Sequence, residues 1–125
     1  MMQKKPLLLI EDEEELSQLY RNALEKSGYI VFTSKDGLQG IDKAIGKDVE
    51  LILLDLMMPM ADGRDVLAMI RLNKKGKEIP VIIISNLNPG TIDLSEVDDQ
   101  IIDYWIKAEL TPLKLVSRLN QYFGL

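Results

Sequence analysis

Charged and hydroxyl side chains follow four short apolar runs of the sequence, each at the point where the run ends. Glu11 and Asp12 follow the first run, Asp55 the second, Ser85 the third and Lys107 the last. A short, wholly apolar run is typical of a parallel strand that is covered on both faces. The carboxyl ends of parallel strands share one edge of the sheet, and ligands bind beyond that edge. The sequence therefore predicts three carboxylates, a hydroxyl and an ammonium group in one site.

Three carboxylates at one edge of a sheet need a positive charge nearby. At about 5 Å and an effective dielectric constant near 20, each pair repels by roughly 3 kcal/mol. A divalent cation offsets this repulsion, and Mg²⁺ prefers carboxylate, carbonyl and water oxygens before it accepts phosphate oxygens. With a lysine and a hydroxyl beside the metal, the site is suited to phosphoryl transfer. Asp55 is the predicted nucleophile.

The composition excludes several other kinds of site. The chain has 125 residues, with no cysteine and no histidine. A disulfide, a thiol nucleophile, an imidazole base and a cysteine or histidine metal ligand are therefore all excluded. The 15 basic and 20 acidic side chains give a net charge of −5, which disfavours nucleic acid and an anionic membrane as partners. We expect one domain over residues 1–125, no output domain in this chain, and a cytoplasmic location because no apolar run suits export or a membrane span.

Strand-like and helix-like patterns alternate along the chain. The segment 86–103 interrupts this regularity, because its residues are indifferent helix formers, and only a short or irregular helix is predicted there. The alternation predicts a parallel sheet with helices on both faces. Strands are predicted at Leu7–Ile10, Tyr29–Thr33, Leu51–Leu54, Val81–Ile84 and Tyr104–Ile106. Amphipathic helices are predicted around Leu16–Leu24 and Leu38–Ile45, from an Asp62 cap through Val66–Ile70, and from a Thr111 cap and Pro112 to Phe123.

The residues at the strand ends also form a specific set of motifs. Glu11-Asp12 is an acid pair, and Asp55 opens an Asp-x-x-Met-Pro-x-x-Asp-Gly motif. Ser85 lies 30 residues after Asp55, and Lys107 lies 22 residues after Ser85. In this combination and spacing, the chain resembles the CheY-like receiver domain of two-component response regulators. The resemblance extends over about residues 5–123 and implies a flavodoxin-like (βα)5 fold whose parallel sheet has the strand order 2-1-3-4-5.

The resemblance implies a role in signalling for Asp55, Ser85, Tyr104 and Lys107. Asp55 would accept a phosphoryl group from the phosphohistidine of a sensor histidine kinase or a phosphotransfer protein, and Lys107 would pair with the phosphoryl oxygens. Ser85 and Tyr104 would be the switch residues that change the conformation. A downstream protein would bind the fourth predicted helix, the fifth strand and the last helix. Because the chain has no histidine, the phosphoryl group must come from another molecule.

The resemblance also implies a Mg²⁺ site. Asp12 and Asp55 would bind the ion together with the backbone carbonyl of Met57, and Glu11 would act mainly through a metal-bound water. The implied activity is that of a phosphoacceptor with self-catalysed dephosphorylation, not of an enzyme that turns over a substrate.

Each site residue also has a structural interpretation when it is considered alone. Asp12 could cap the first helix, Asp55 could end a buried strand, Ser85 could lie in a turn and Lys107 could be a solvated charge. Two other functions also stay open. One is a phosphorylation-independent binding module with the same fold. The other is an aspartate-nucleophile phosphatase, which usually needs a second acid where this chain has Met57.

Three positions depart from the receiver pattern. Asn86 stands where most receivers carry alanine or glycine, and a larger side chain there could narrow access for the phosphoryl donor or for water. Leu87 and Met57 are predicted to line the route of that water. Ala108 replaces the proline that usually follows the lysine, and a trans peptide bond is expected because a cis bond before alanine costs about 3 kcal/mol. Ile101-Ile102 replaces a Gly-Ala pair, which makes the output face the least family-like region.

Overall fold

A five-stranded parallel sheet forms the centre of the computed structural model, which describes residues 5–59, 61–88 and 100–125. The strand order is β2-β1-β3-β4-β5, which confirms the predicted flavodoxin-like order 2-1-3-4-5. A short antiparallel pair, Met57–Met58 with Ala61–Asp62, lies outside this sheet. The strands are β1 (Pro6–Ile10), β2 (Ile30–Ser34), β3 (Leu51–Asp55), β4 (Val81–Ser85) and β5 (Ile101–Ile106).

Four α-helices lie within the described ranges. They are α1 (Glu14–Lys26), α2 (Gly37–Gly46), α3 (Gly63–Leu72) and α4 (Pro112–Tyr122), with 3₁₀ turns at Gly76–Glu78 and Lys107–Glu109. The irregular helix predicted in the segment 86–103 falls largely on residues 89–99, which lie outside the described residues. β5 begins three residues earlier than the predicted strand Tyr104–Ile106, because its half-exposed first residues lack the apolar run that marks the other strands.

The sheet is buried on both faces, as the apolar runs predict. All five residues of β3 and all five of β4 are buried. Successive side chains of a strand point to opposite faces, so each strand contributes to two separate cores. One core contains Tyr20 and Leu24 of α1 with Leu115 and Leu119 of α4, and the other contains Ala44 of α2 with Val66, Leu67 and Ile70 of α3. Each fully buried leucine or isoleucine contributes about 2 kcal/mol relative to an exposed one.

The start of α3 packs closely against the end of β3. The N–H group of Gly63 donates to the carbonyl of Leu56 at 3.0 Å. A Cβ atom at position 63 would lie 2.6 Å from the Leu56 Cα atom and 2.7 Å from the Asp55 carbonyl oxygen, so only glycine fits there. The Asp62 side chain caps the same helix by accepting the Arg64 N–H at 2.9 Å, as predicted. This packing fixes the backbone just after Asp55.

The last helix also begins as predicted. The Thr111 side chain accepts the N–H of Lys114 at 3.2 Å, and Pro112 occupies the first helical position. None of the helices in the described part of the chain is long and apolar enough to cross a membrane.

Candidate functional site

Lys107 lies between three carboxylates at the carboxyl edge of the sheet. Its Nζ atom is 2.9 Å from Glu11 Oε1, 3.0 Å from Glu13 Oε2 and 3.1 Å from Asp55 Oδ2. The side chains of Glu11 and Asp55 are 1% and 2% exposed, whereas that of Glu13 is 62% exposed. The structure therefore brings together the buried acids and the lysine that the strand ends predict. Glu13 is an addition, because the sequence analysis did not include it among the site residues.

The Asp55 carboxylate is held from two sides. Its Oδ1 atom accepts the N–H of Met57 at 3.0 Å, and its Oδ2 atom accepts the Lys107 ammonium. A carboxylate has about four acceptor positions, so these two bonds leave further lone pairs for a metal ion or for attack on an electrophile. β3 carries this residue from the middle of the sheet, where β1 and β4 pair with the strand on either side. Asp55, the predicted nucleophile, is therefore fixed in place and keeps unused acceptor positions.

Glu11, Asp12 and Asp55 form a cluster that can hold a metal ion. Each offers one carboxylate oxygen, and the three oxygens lie within 4.8 Å of one another. The N–H of Glu11 donates to the carbonyl of Ser34 at 3.0 Å, and Glu11 Oε1 accepts the N–H of Glu13 at 3.0 Å. Carboxylate oxygens are hard ligands that suit Mg²⁺, so the donor set fits the predicted ion.

The pKa values of Glu11 and Lys107 both lie above the ordinary values of these side chains. Burial raises the pKa of Glu11 to about 7, and the nearby Asp55 charge adds to this, against the opposing bonds from the Glu13 N–H and Lys107. Burial acts to lower the pKa of Lys107, but its hydrogen bonds to Glu11, Glu13 and Asp55 outweigh that effect and raise the pKa overall. Lys107 is therefore a fixed positive charge at neutral pH, whereas the charge of Glu11 varies there.

Ser85 and Tyr104 both contact the backbone of Leu87. Ser85 is fully buried at the end of β4, and its Oγ atom accepts the N–H of Leu87 at 3.2 Å. The Tyr104 hydroxyl, on β5, donates to the carbonyl oxygen of Leu87 at 2.9 Å. The two predicted switch residues are therefore linked through a single residue of the loop after β4.

Asn86 bonds to the turn that carries Lys107. Its Oδ1 atom accepts the N–H of Ala108 at 2.7 Å. The Lys107–Ala108 peptide bond is trans, as expected, since the described residues contain no cis peptide bond. This contact joins two loops that are 22 residues apart, and the sequence analysis anticipated only a steric effect of Asn86.

A cleft of about 890 Å³ opens over these groups. Asp12, Asp55 and Lys107 line it together with Met57 and Leu87, as predicted for the last two. Asn86 and Glu13 also line the cleft, and an Asp62–Arg64 ion pair of 2.8 Å completes its rim. The volume is typical of a site for a small ligand or for a side chain of another protein. The Met57 carbonyl as a metal ligand stays a prediction.

Comparison with known proteins identifies the family. A family model described as the response regulator receiver domain matches residues 7–120. The chain belongs to the response regulator receiver family. Its most similar curated relatives include the transcriptional regulatory protein CusR of Escherichia coli strain K12, 34% identical over 87 residues. That match covers 70% of this receiver domain and 37% of CusR, so the chain spans well under half the length of this relative.

Two solved structures resemble the whole receiver domain. The Mn²⁺-bound form of the response regulator Rcp1 is 28% identical with a TM-score of 0.76, over 96% of this chain and 94% of that one. The phosphorylated cyanobacterial phytochrome response regulator RcpA is 27% identical with a TM-score of 0.75, over 94% of this chain and 92% of that one. Both comparisons agree with the fold and with the family match.

Proposed function

We propose that this receiver domain accepts a phosphoryl group on Asp55 in a Mg²⁺-dependent reaction and then changes conformation to control a partner protein. The observation that carries the proposal is the Asp55 carboxylate itself. It faces the cleft between the Lys107 ammonium and the Met57 N–H, with oxygens of Glu11 and Asp12 within 4.8 Å. The phosphorylated form of RcpA, a relative of the same fold, supports this assignment.

The proposed reaction needs only groups at this edge of the sheet. A carboxylate oxygen of Asp55 attacks the phosphorus atom, and the bond between phosphorus and the donor nitrogen or oxygen breaks with its electron pair on the leaving group. Lys107 remains protonated, so its positive charge would stabilise the phosphoryl oxygens as their negative charge builds up near Asp55. The product is a stoichiometric acyl phosphate, so the protein is proposed to be a phosphoacceptor and not a turnover enzyme.

Asp12 and Asp55 would hold Mg²⁺ together with the Met57 carbonyl, and Glu11 would act mainly through a metal-bound water. When bound, the ion supplies positive charge that offsets the carboxylates and takes phosphoryl oxygens as ligands. The Mn²⁺-bound form of Rcp1 supports a divalent cation in this family.

The proposed switch passes through the loop after β4. A serine hydroxyl can donate one hydrogen bond while it accepts others, so Ser85 can donate to a phosphoryl oxygen. Any movement of Ser85 toward Asp55 would displace Leu87, whose carbonyl binds the Tyr104 hydroxyl. The loop after β4 would thus have two positions, one before and one after this movement. A phosphoryl group that interacts better with one position would shift the balance between the two.

We place the partners on two different surfaces. The donor, a sensor histidine kinase or phosphotransfer protein, must reach Asp55 through the cleft. The downstream partner would bind β5 and α4, because Tyr104 lies on β5 and both elements expose large apolar side chains. These are Ile102, Leu113 and Tyr122, which are 40%, 80% and 45% exposed.

Phosphorylation by a small donor tests the proposal directly. We expect the wild-type protein, incubated with acetyl phosphate and Mg²⁺, to gain the mass of one phosphoryl group. The Asp55→Asn variant keeps the shape of the side chain but loses the nucleophile, and it should gain none. Chelation of Mg²⁺ should slow the wild-type reaction by at least about tenfold, since the ion offsets the repulsion between the carboxylates and the donor. A wild-type protein that binds Mg²⁺ but never gains the phosphoryl group would contradict the proposal.

The same variant separates the proposed function from its main alternative. A phosphorylation-independent binding module would hold its partner equally well in wild-type and Asp55→Asn protein. A phosphorylation switch predicts that only the wild-type protein changes its partner affinity after acetyl phosphate is added. Fluorescence of Trp105 can follow the change, because it is the single tryptophan, lies next to Tyr104 and stacks under Arg118 at 5.5 Å.

A further inference from the structure

We propose that Asn86 is a positioning residue that ties the Ser85 loop to the Lys107 turn, so that both side chains approach a phosphoryl group as one unit. The proposal rests on the function proposed above. Asn86 directly follows Ser85, and its hydrogen-bond partner, Ala108, directly follows Lys107. The bond between Asn86 Oδ1 and the Ala108 N–H is 2.7 Å long, which is short for a neutral hydrogen bond to an amide.

The Ala108 amide needs an acceptor from outside its own turn. In the 3₁₀ turn Lys107–Glu109, the closing bond runs from the N–H of Leu110 to the carbonyl of Lys107. The N–H groups at the start of any helical turn have no acceptor within the turn. Asn86 therefore supplies from another loop the cap that a preceding side chain usually supplies. The bond fixes the peptide group that immediately follows Lys107.

This backbone anchor is most important when Lys107 changes partners. In the structure, the ammonium group is held by Glu11, Glu13 and Asp55. A phosphoryl group on Asp55 would form its own contacts with the Lys107 ammonium group. The contacts of Lys107 with the three carboxylates would then be rearranged, while the bond between Asn86 and Ala108 could persist. The turn would then keep its distance from the Ser85 loop. Ser85 and Lys107 could bind the phosphoryl oxygens without a separate ordering of each loop.

The two departures from the receiver pattern at this edge are the two partners of this bond. A proline at position 108 has no N–H to donate, and an alanine or glycine at position 86 has no side-chain acceptor. Ala108 as the donor and Asn86 as the acceptor therefore fit each other. A purely steric role of Asn86 would not require an N–H group at position 108.

The variant Asn86→Ala removes the acceptor from an exposed position, so the fold should be retained. The control is Asn73→Ala, because Asn73 Oδ1 accepts a backbone N–H, that of Lys75, at 2.9 Å outside the cleft. We expect hydrogen exchange at the Ala108 amide to speed up in Asn86→Ala and to stay unchanged in Asn73→Ala. Beryllofluoride, an analogue of the phosphoryl group, should bind Asn86→Ala about fivefold more weakly in the presence of Mg²⁺, because the Ser85 loop and the Lys107 turn would then have to be ordered separately on binding.

A second measurement separates positioning from general loosening of the site. The affinity for Mg²⁺ alone should be the same in both variants and in the wild type, because the hydrogen bonds of Glu11 and Asp55 run to Glu13, Met57 and Lys107 and not to Asn86. If beryllofluoride binds Asn86→Ala and the wild type equally well, the bond is only structural and the proposal is wrong. It is equally wrong if Ala108 exchange is unchanged, or if Mg²⁺ binding weakens together with beryllofluoride binding. Failure of the wild type to bind beryllofluoride would instead contradict the proposed function, and the Ala108 exchange would still report on the bond.

Discussion

The central strand β3 ends at Asp55 and the edge strand β5 leads into Lys107, and both residues line the same cleft, but the two strands are built differently. Every residue of β3 is buried, and β1 and β4 pair with it on either side. Among the described residues, β5 pairs only with β4, its residues are mostly half-buried or exposed, and its register shifts near Val81 and Ile82. Asp55 lies at the end of the first strand, whereas Tyr104 and the turn with Lys107 belong to the second.

This difference separates two requirements of a switch. In the proposed switch, the reacting Asp55 carboxylate must stay in one place, and the buried strand β3, paired on both sides, can hold it there. The groups that respond must have two positions of similar energy, and an edge strand with fewer buried contacts can provide those. We therefore expect changes in β3 to affect folding and chemistry, and changes in β5 to affect mainly the conformational response.

The largest difference should appear in stability. Leu53→Ala removes a fully buried side chain from β3 and should lower the free energy of unfolding by about 3 kcal/mol. Ile102→Ala removes a side chain that is 40% exposed on β5 and should cost less than about 1 kcal/mol. Urea denaturation measures both values, and equal losses would remove the proposed contrast between the two strands.

A smaller effect is expected where α3 meets the end of β3. Gly63→Ala places a Cβ atom against Leu56 and the Asp55 carbonyl, so we expect a loss of about 2 kcal/mol and a slower phosphorylation of Asp55. The matched control is Gly46→Ala at the end of α2, where a Cβ atom would meet nothing within 4 Å. That change should stabilise the protein by about 0.5 kcal/mol. Thermal unfolding would show the opposite signs, and a harmless Gly63→Ala would mean that this junction is not tightly fitted.

The pH dependence of the free energy of unfolding should report on the protonation of Glu11. Its pKa of about 7 in the folded protein is above the ordinary value of 4.5, so the folded state holds the proton more tightly than the unfolded state. The contribution of protonated Glu11 to the stability of the folded state is complete at a pH below its ordinary pKa and is lost as the pH rises toward 7. In Mg²⁺-free buffer we expect the free energy of unfolding to fall by about 2 kcal/mol between about pH 5 and pH 8. Glu11→Gln should flatten this slope.

Magnesium should oppose the loss of stability that is expected between about pH 5 and pH 8. The ion binds ionised carboxylates, so it should stabilise the wild type more at about pH 8 than at about pH 5. Unfolding curves with and without Mg²⁺ at both pH values provide the measurement. A Mg²⁺ effect that is the same at both pH values would show that Glu11 takes no part in binding the ion.

The smallest effect is expected from Tyr104→Phe. This change removes the hydroxyl that binds the Leu87 carbonyl and should cost about 1 kcal/mol or less of stability. The rate of phosphorylation by acetyl phosphate should stay within about twofold of the wild type, because the Tyr104 hydroxyl donates to the Leu87 carbonyl and not to Asp55. The Trp105 fluorescence response should change in size. A large loss of phosphorylation rate would place β5 in the chemistry and not only in the response.

Much of the site could be predicted from the sequence because of how buried strands end. An apolar run that stops at a charged residue marks both the strand and the edge of the sheet, and this signal located Glu11, Asp12, Asp55 and Lys107. Glu13 carries no comparable signal, since an exposed acid at the N-cap of a helix is expected for the helix dipole alone. Its contact with Lys107 depends on a side-chain conformation that spacing cannot predict.

The region around β5 was harder to predict for a related reason. A half-exposed edge strand needs no continuous apolar run, so the first three residues of β5 looked like part of the preceding segment. The bond from Asn86 to Ala108 depends on how closely two loops approach, and the amino-acid types alone suggested a steric effect instead. The sequence was thus most informative where burial constrains it most strongly.

The position of Leu87 has a consequence for how the protein can evolve. Its N–H binds Ser85 and its carbonyl binds Tyr104, so the proposed signal would pass through groups that every amino acid except proline carries. The side chain at this position is therefore free to vary without interrupting the path. A lineage could exchange Leu87 to alter the walls of the cleft, and so the lifetime of the signal, while the connection from site to surface is inherited intact.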